Sequence, residues 1–316
     1  MTATLERSQR KLRSVWFRSV TADIENAVHA LPADALCTRE LFVDLLHLNV
    51  HSGGRIALVE QAGEPVAVFG LRREGRLRWR SMLDWLLPGV PGAVSEEQVV
   101  PALRKLNSEV AMVWWNTRTA PTGAGVQRAA PRAVNVLAIA EREAYWRSTR
   151  YWSTIRRARE KCAHLTVAID RPGDAEWVVR NNLSKWDARG SHRDRFALEA
   201  NLEIARQLTP LGRYETLVLR DGDIPLAGAT NFRLGATTVA GVLYRDESVG
   251  GLPTGVRIID ESIEYSARAG VARFDLGASF PYKLKWAPED GFLYEFVVSP
   301  PMISLAHRLR HAARRR

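Results

Sequence analysis

Ser248-Val249-Gly250-Gly251-Leu252-Pro253-Thr254-Gly255 is the stretch that decides the fold, because of what surrounds it. Before it come three extended runs. Tyr214 to Arg220 alternates toward a turn at Asp221-Gly222-Asp223, Leu226 to Phe232 follows, and a Gly235 turn leads into Thr237 to Tyr244. After it, Val256, Ile259, Ile263 and Ala267 recur at helical spacing. Gly270 stands where a helix stops. A strand, Ala272-Arg273-Phe274-Asp275-Leu276-Gly277, and the cluster Tyr282-Lys283-Leu284-Lys285-Trp286 close the unit. A meander, a glycine loop, a helix and a strand in that order can hold an anion at the helix N-terminus.

The N-terminal half repeats the order. Arg55 to Glu60 is a strand, Gln61 to Glu64 a turn, Val66 to Leu71 a second strand and Leu77 to Leu83 a third. The loop Leu87 to Gly92 follows, then a helix over Glu96 to Leu106 with Ser95 as N-cap, then a strand from Val110 to Trp115. Leu58, Val59, Gly63, Pro65, Ala67 and Gly75 align with Leu217, Val218, Gly222, Pro225, Ala227 and Gly235, with one extra residue at Ile224. Two readings fit: a duplication, or two generic meanders. The Thr/Pro/Gly/Ala-rich stretch from Thr117 to Pro131 reads as the linker. This divides the chain into 1–131, 132–300 and a basic tail, 301–316. Within the second part, residues 141–164 read as one strongly basic helix. Ala175 to Ala188 and Ala197 to Leu208 read as two more.

The 316 residues have room for two domains, and a hydrophobic content of 46% supports a real core. The formal charge of +10 suits an anionic partner. It also fits a compositional preference for arginine, since lysine occurs only at positions 11, 105, 161, 185, 283 and 285. Cys37 and Cys162 show no metal spacing and read as reduced thiols. The first residues carry no signal-peptide apolar core, and no apolar run reaches membrane-span length. A cytoplasmic location is the expectation. No Ser/His/Asp or Cys/His layout, zinc spacing, Walker A sequence or dinucleotide fingerprint is present.

The segment from Tyr145 to Trp286 resembles the CelD/BioF2-like acetyltransferases of the GNAT superfamily, a group related to the FemABX peptidyltransferases. The resemblance rests on Ser153 to Arg159, the meander around Gly222 with Pro225-Leu226-Ala227-Gly228, Gly255, Phe274-Asp275-Leu276-Gly277 and Tyr282 to Trp286. It implies an α/β (α+β) fold of tandem GNAT-like half-domains, each a mixed, mostly antiparallel sheet flanked by helices. It implies an N-acyltransferase without a metal, with acyl-CoA as donor substrate and a small-molecule, peptide or sugar amine as acceptor. The alternative donor is aminoacyl-tRNA. A third reading is a non-catalytic binding protein. The loop departs from the compact Arg/Gln-x-x-Gly-x-Gly/Ala turn of ordinary GNAT enzymes, being longer and matching in part.

On this resemblance Gly250, Gly251, Thr254, Gly255 and Val256 bind the donor, with a plain strand-to-helix connection as the other reading. Lys283 stabilises the developing oxyanion, or is an exposed strand-end lysine. Tyr282 protonates the leaving group, or packs its ring. Asp275 takes a proton from the amine, or pins a neighbouring loop. Arg156, Trp186, Tyr244 and Arg245 contact substrate. Arg156, Arg157 and Arg159 form a basic patch suited to phosphate or RNA, or a solvated helix face. Asp187, Arg189 and His192 are further candidates for the acceptor cleft. Asp260 and Glu261 read as a solvated helix face. The N-terminal half, whose loop holds Pro88 and Pro91, reads as a support or acceptor platform.

Overall fold

The computed structural model describes residues 12–298 apart from 33–36, 74–77, 84–85, 88–91, 95, 107–111, 118–125, 129–131 and 188–194. The chain forms two compact units, Met1–Ala130 with Tyr294–Arg316, and Pro131–Leu293. Residues 294–298 thus group with the first unit, where the sequence reading placed them in the second half.

The first unit opens with β1 (Leu12–Phe17), α1 (Ala22–Ala30) and α2 (Arg39–His51). Then come β2 (Arg55–Gln61), β3 (Glu64–Arg73), β4 (Arg78–Ser81), β5 (Ala93–Val94), α3 (Glu96–Leu106), β6 (Met112–Thr117) and β7 (Val126–Arg128). β1, β2, β3 and β4 pair antiparallel in sequence, and β6 then pairs parallel to β4. Ala57, Val59, Phe69 and Leu71 from the sheet and Leu103 and Leu106 from α3 form one buried cluster. Burial of each such Leu, Val or Phe contributes about 1.5–3 kcal/mol. Neither β1 nor α1 and α2 is expected from the sequence reading.

The second unit comprises β8 (Arg132–Ala138), α4 (Arg142–Ser148), α5 (Trp152–Lys161), β9 (Thr166–Ile169), α6 (Asp174–Asp187) and α7 (Arg195–Leu208). It continues with β10 (Tyr214–Asp221), β11 (Ile224–Leu234), β12 (Thr237–Arg245), α8 (Thr254–Arg268) and β13 (Arg273–Ala278). β9, β10, β11 and β12 are antiparallel neighbours, β13 lies parallel to β12, and β8 returns antiparallel to β13. The second unit therefore repeats the first: three antiparallel strands, a helix, and a parallel strand. The last strand, β14 (Glu289–Val298), serves both. Glu289 to Leu293 pairs with β8, and Tyr294 to Val298 pairs with β6.

Two helical expectations change. The basic helix over 141–164 is two helices, because the chain turns at Thr149 to Tyr151, where Arg150 takes φ +58°. Trp146 and Ile155, one on each helix, are both fully buried in one cluster with Ile263, Phe274 and Trp286, so the corner lets both helices face the same core. Asp260 and Glu261 are buried. Asp260 accepts hydrogen bonds from Arg159 at 2.8 and 2.7 Å and from Arg257 at 2.8 Å. A carboxylate removed from water needs such partners, and arginine supplies them in pairs. Arg159 is therefore committed to α8 and is not part of a free basic patch. The Arg156 side chain remains mostly exposed and lies 3.8 Å from Glu160 on its own helix.

Candidate functional site

Strands β12 and β13 are paired only from Thr237↔Arg273 to Val239↔Asp275. Beyond that each strand carries an irregularity. In β12, Ala229↔Leu243 and Asn231↔Ala240 leave Gly241 and Val242 opposite the single residue Thr230. The hydroxyl of Thr230 accepts the Val242 amide at 2.8 Å, which satisfies the bulge. A Cβ on Gly241 would stand 2.7 Å from Thr230 Oγ1 and 2.9 Å from its carbonyl oxygen, so only glycine fits. In β13, the pairs Asp275↔Val136 and Ala278↔Val134 enclose a second bulge at Leu276 and Gly277. Gly277 has φ +76°, a conformation costly for residues with a Cβ. Bulges bend and twist strands, so two of them on neighbouring parallel strands part the strands at their carboxyl ends.

The pairing pattern fixes which main-chain groups line the opening. The Asp246 amide donates to the Leu226 carbonyl at 2.8 Å. Pairs Ala227↔Arg245 and Ala229↔Leu243 therefore turn their amides and carbonyls away from each other. Leu243 and Arg245 thus present main-chain groups on the β13 side of β12. The Leu243 carbonyl accepts the Asn182 side-chain amide of α6 at 2.8 Å. Asn182 is missing from the sequence reading, and an asparagine mid-helix gives no signal of this role.

On the β12 arm, α8 begins at Thr254 with no side-chain cap and no acidic residue in its first turn. Its first amides, of Thr254 and Gly255, have no acceptor within the helix and can meet an anion. Pro253 accepts from Val256 and Arg257 at 3.1 and 3.0 Å. Thr254 is buried, and the loop glycines Gly250 and Gly251 have open space around them. The Arg245 side chain lies against Gly255, with Cδ 3.0 Å from where a Cβ would be. Two acids stand beside this end: Glu247 pairs with Lys185, and Asp246 accepts from the Ser248 amide at 2.8 Å and hydroxyl at 2.7 Å. Those bonds to Ser248 hold the Asp246 carboxyl below its ordinary value. Tyr244 packs edge-on to Trp177 with ring centres 5.1 Å apart.

On the β13 arm, Asp275 is buried and accepts the Gly277 amide at 2.7 Å. Lys283 reaches back from a 3-10 turn, Lys283–Lys285, and its ammonium donates to the carbonyls of Leu276 at 2.5 Å and Ala278 at 2.9 Å. Those carbonyls flank Gly277, so Asp275 and Lys283 together hold the bulge. The rings of Phe280 and Tyr282 lie 5.2 and 6.0 Å from the ammonium. Burial draws Lys283 down to about 8, against the pull of the nearby Asp275 carboxylate. Lys283 is therefore no free strand-end lysine. Tyr282 is half exposed, and partial burial raises its phenol above the ordinary value.

The structure thus gathers Asp275, Gly277, Tyr282 and Lys283 on one arm, and Arg245, Thr254 and Gly255 on the other. Trp186 falls in the last turn of α6, and Arg189, His192 and the tail from 301 onward lie outside the described residues, as does most of the Pro88 to Gly92 loop. Among the described residues, no helix is long and apolar enough to cross a membrane.

Residues 147–284 match the family described as Acetyltransferase (GNAT) domain. No curated protein matches the chain. Among solved structures, the C-terminal domain (DUF2156) of a putative lysylphosphatidylglycerol synthetase from Agrobacterium fabrum is similar at 15% identity, with TM-score 0.55, covering 85% of this chain and 93% of that one. The structure of L-PGS from Bacillus licheniformis is similar at 9% identity, with TM-score 0.55, covering 91% of this chain and 95% of that one. FemX is similar at 12% identity, with TM-score 0.51, covering 92% of this chain and 99% of that one. At these identities the likeness is one of fold. With the repeated order of strands and helices described above, the chain has a mixed α/β architecture of tandem GNAT-like units and carries the GNAT-superfamily fold.

Proposed function

We propose that the chain is an N-acyltransferase that moves an acyl group from an acyl-CoA donor to an amine by direct attack. The parting of β12 from β13 after three paired residues carries this reading. An extended arm bearing amides can lie in such an opening and bond the outward groups of Leu243 and Arg245 as a missing strand would. The uncapped α8 N-terminus and Arg245 then face the phosphates of the carrier, and Lys283 faces its reactive end. The amine nitrogen attacks the thioester carbonyl, forming a C–N bond and releasing the C–S bond. The Lys283 ammonium donates a hydrogen bond to the oxyanion. The proton lost from nitrogen passes to solvent, and Tyr282 supplies the one gained by sulfur. Asp275 acts through Lys283 and Gly277, as a positioning residue.

A second reading replaces the donor with aminoacyl-tRNA, as in FemABX-like transferases. It is favoured by the breadth of the likeness: FemX, the putative synthetase domain and L-PGS are each similar over 85% or more of this chain, and so over both units. The carboxylates of Asp246 and Glu247, close in sequence to the phosphate end, also count against a compact pyrophosphate there. One thermal-shift screen separates the donors, because a ligand at a hundred times its dissociation constant stabilises the folded state by about 2.7 kcal/mol. Stabilisation by CoA and acetyl-CoA, lost in Gly255→Trp without unfolding, supports the first reading. Stabilisation by charged tRNA alone, abolished by RNase and steeply weakened by salt, selects the second. Full turnover by Gly255→Trp would remove the loop from the donor site.

A further inference from the structure

Five consecutive carbonyls run from Lys283 to Ala287, and three of them are taken by side chains. Tyr145 Oη donates to Leu284 at 2.7 Å. Thr149 Oγ1 stands 3.4 Å from the Lys285 carbonyl, but its single proton has nearer acceptors on α4, Tyr145 at 3.2 Å and Trp146 at 3.3 Å. Trp146 Nε1 donates to Trp286 at 3.0 Å, and Asn135 Nδ2 to Ala287 at 2.9 Å. The Lys283 carbonyl accepts the amides of Trp286 at 2.9 Å and Ala287 at 3.0 Å. Two of the three side-chain donors come from α4. Asn135 comes from the middle of β8, fully buried.

A three-residue 3-10 turn on a half-exposed segment has little order of its own, and water would satisfy its carbonyls at no cost in side-chain entropy. Three side chains converge on it instead. The turn is also pinned from within: the Trp286 ring meets Trp146 edge-on at 5.8 Å and Tyr151 at 5.1 Å. Leu284 and Lys285 point outward, whereas Lys283 alone among the three is directed at the Gly277 bulge.

We propose that Asn135, Tyr145 and Trp146 are positioning residues that clamp the 283–287 turn and so set the place and the solvation of the Lys283 ammonium. The catalytic consequence rests on the acyl-transfer reading of Lys283; the clamp itself does not. Without the clamp the turn swings outward, the ammonium regains water, and its titration returns toward that of an ordinary lysine, about 10.4.

The test is the pH profile of Lys283 acetylation by acetic anhydride, read by mass spectrometry with the exposed Lys161 as internal reference. The full-length protein is compared with Tyr145→Phe, which removes one donor and almost no volume. Trp146→Phe is a second variant, should Tyr145→Phe have no effect on the turn. A labelling midpoint near 8 in the parent that climbs by at least one pH unit in a folded variant supports the clamp. An unmoved midpoint in both variants, with only the melting temperature falling, overturns it and leaves a purely structural network. Turnover is read separately, in Lys283→Ala with the donor chosen by thermal shift: full activity there sinks the function given to Lys283, whatever the clamp variants show.

Discussion

Lys283 shows how one side chain can be both scaffold and reagent. Two of its three donors go to the Leu276 and Ala278 carbonyls, which leaves one for an oxyanion. Its folded-state value near 8 lies below the ordinary lysine value of about 10.4, so the unfolded chain binds that proton more tightly. The stabilising contribution is complete above about pH 10.4 and is lost as pH falls through 8. In urea titrations, the parent should therefore gain stability from pH 8 to pH 10 relative to Lys283→Met, and a flat difference between the two would show that the ammonium is not desolvated. Asp260 gives a second prediction at this scale. Asp260→Ala leaves Arg159 and Arg257 without their shared carboxylate, and Arg159 is a third exposed. The loss should lie near the low end for a broken buried pair, about 2–3 kcal/mol by urea denaturation. This pair leaves no mark in the sequence, because Asp260 and Arg159 are 101 residues apart and an Arg-rich helix reads the same whether its charges are paired or solvated.

At the scale of elements, the bulges decide the opening. Gly241→Val places a Cβ and its two methyl groups against Thr230 and Phe232. It should cost about 1–3 kcal/mol in stability and abolish stabilisation by the donor. A variant that binds the donor as the parent does would show that the β12 bulge does not shape the site. The meander, α8 and β13 were legible because alternation and helical spacing are local patterns; Gly222, Gly235 and Gly270 all take positive φ at the predicted turns. The bulges were not legible. Gly241 sits within an apolar run, and its need for space arises from Thr230 on the neighbouring strand. The clustering of Asp275 with Lys283 was half legible, since the family pattern carries both residues but says nothing of the carbonyls between them. The break between α4 and α5 was hidden because its junction, Thr149-Arg150-Tyr151, holds neither glycine nor proline. Only the shared burial of Trp146 and Ile155 reveals why the chain turns there.

For the whole molecule, the repeat read from residues 55–115 and 214–277 appears as the same strand order in both units, each with a helix before its parallel strand. What no repeat could show is the use of β14 by both. Truncation after Leu293 removes the strand that pairs with β6 and β7 but keeps the half that pairs with β8. Hydrogen exchange should then quicken across β6 in the first unit while β12 and β13 keep their protection. Equal loss in both units would mean that they unfold as one.

The lateness of β14 also bears on how the chain is made. Domains ordinarily fold in order of synthesis, the amino-terminal one first. Here the amino-terminal unit waits for residues 294–298 before β6, already paired with β4, gains its second neighbour, so on the ribosome it is a sheet with an open border while all of β8 to β13 is being translated. An unpaired strand border invites association with other chains. A chaperone that shields nascent sheets should therefore raise the yield of this protein most when translation is slowed downstream of β7.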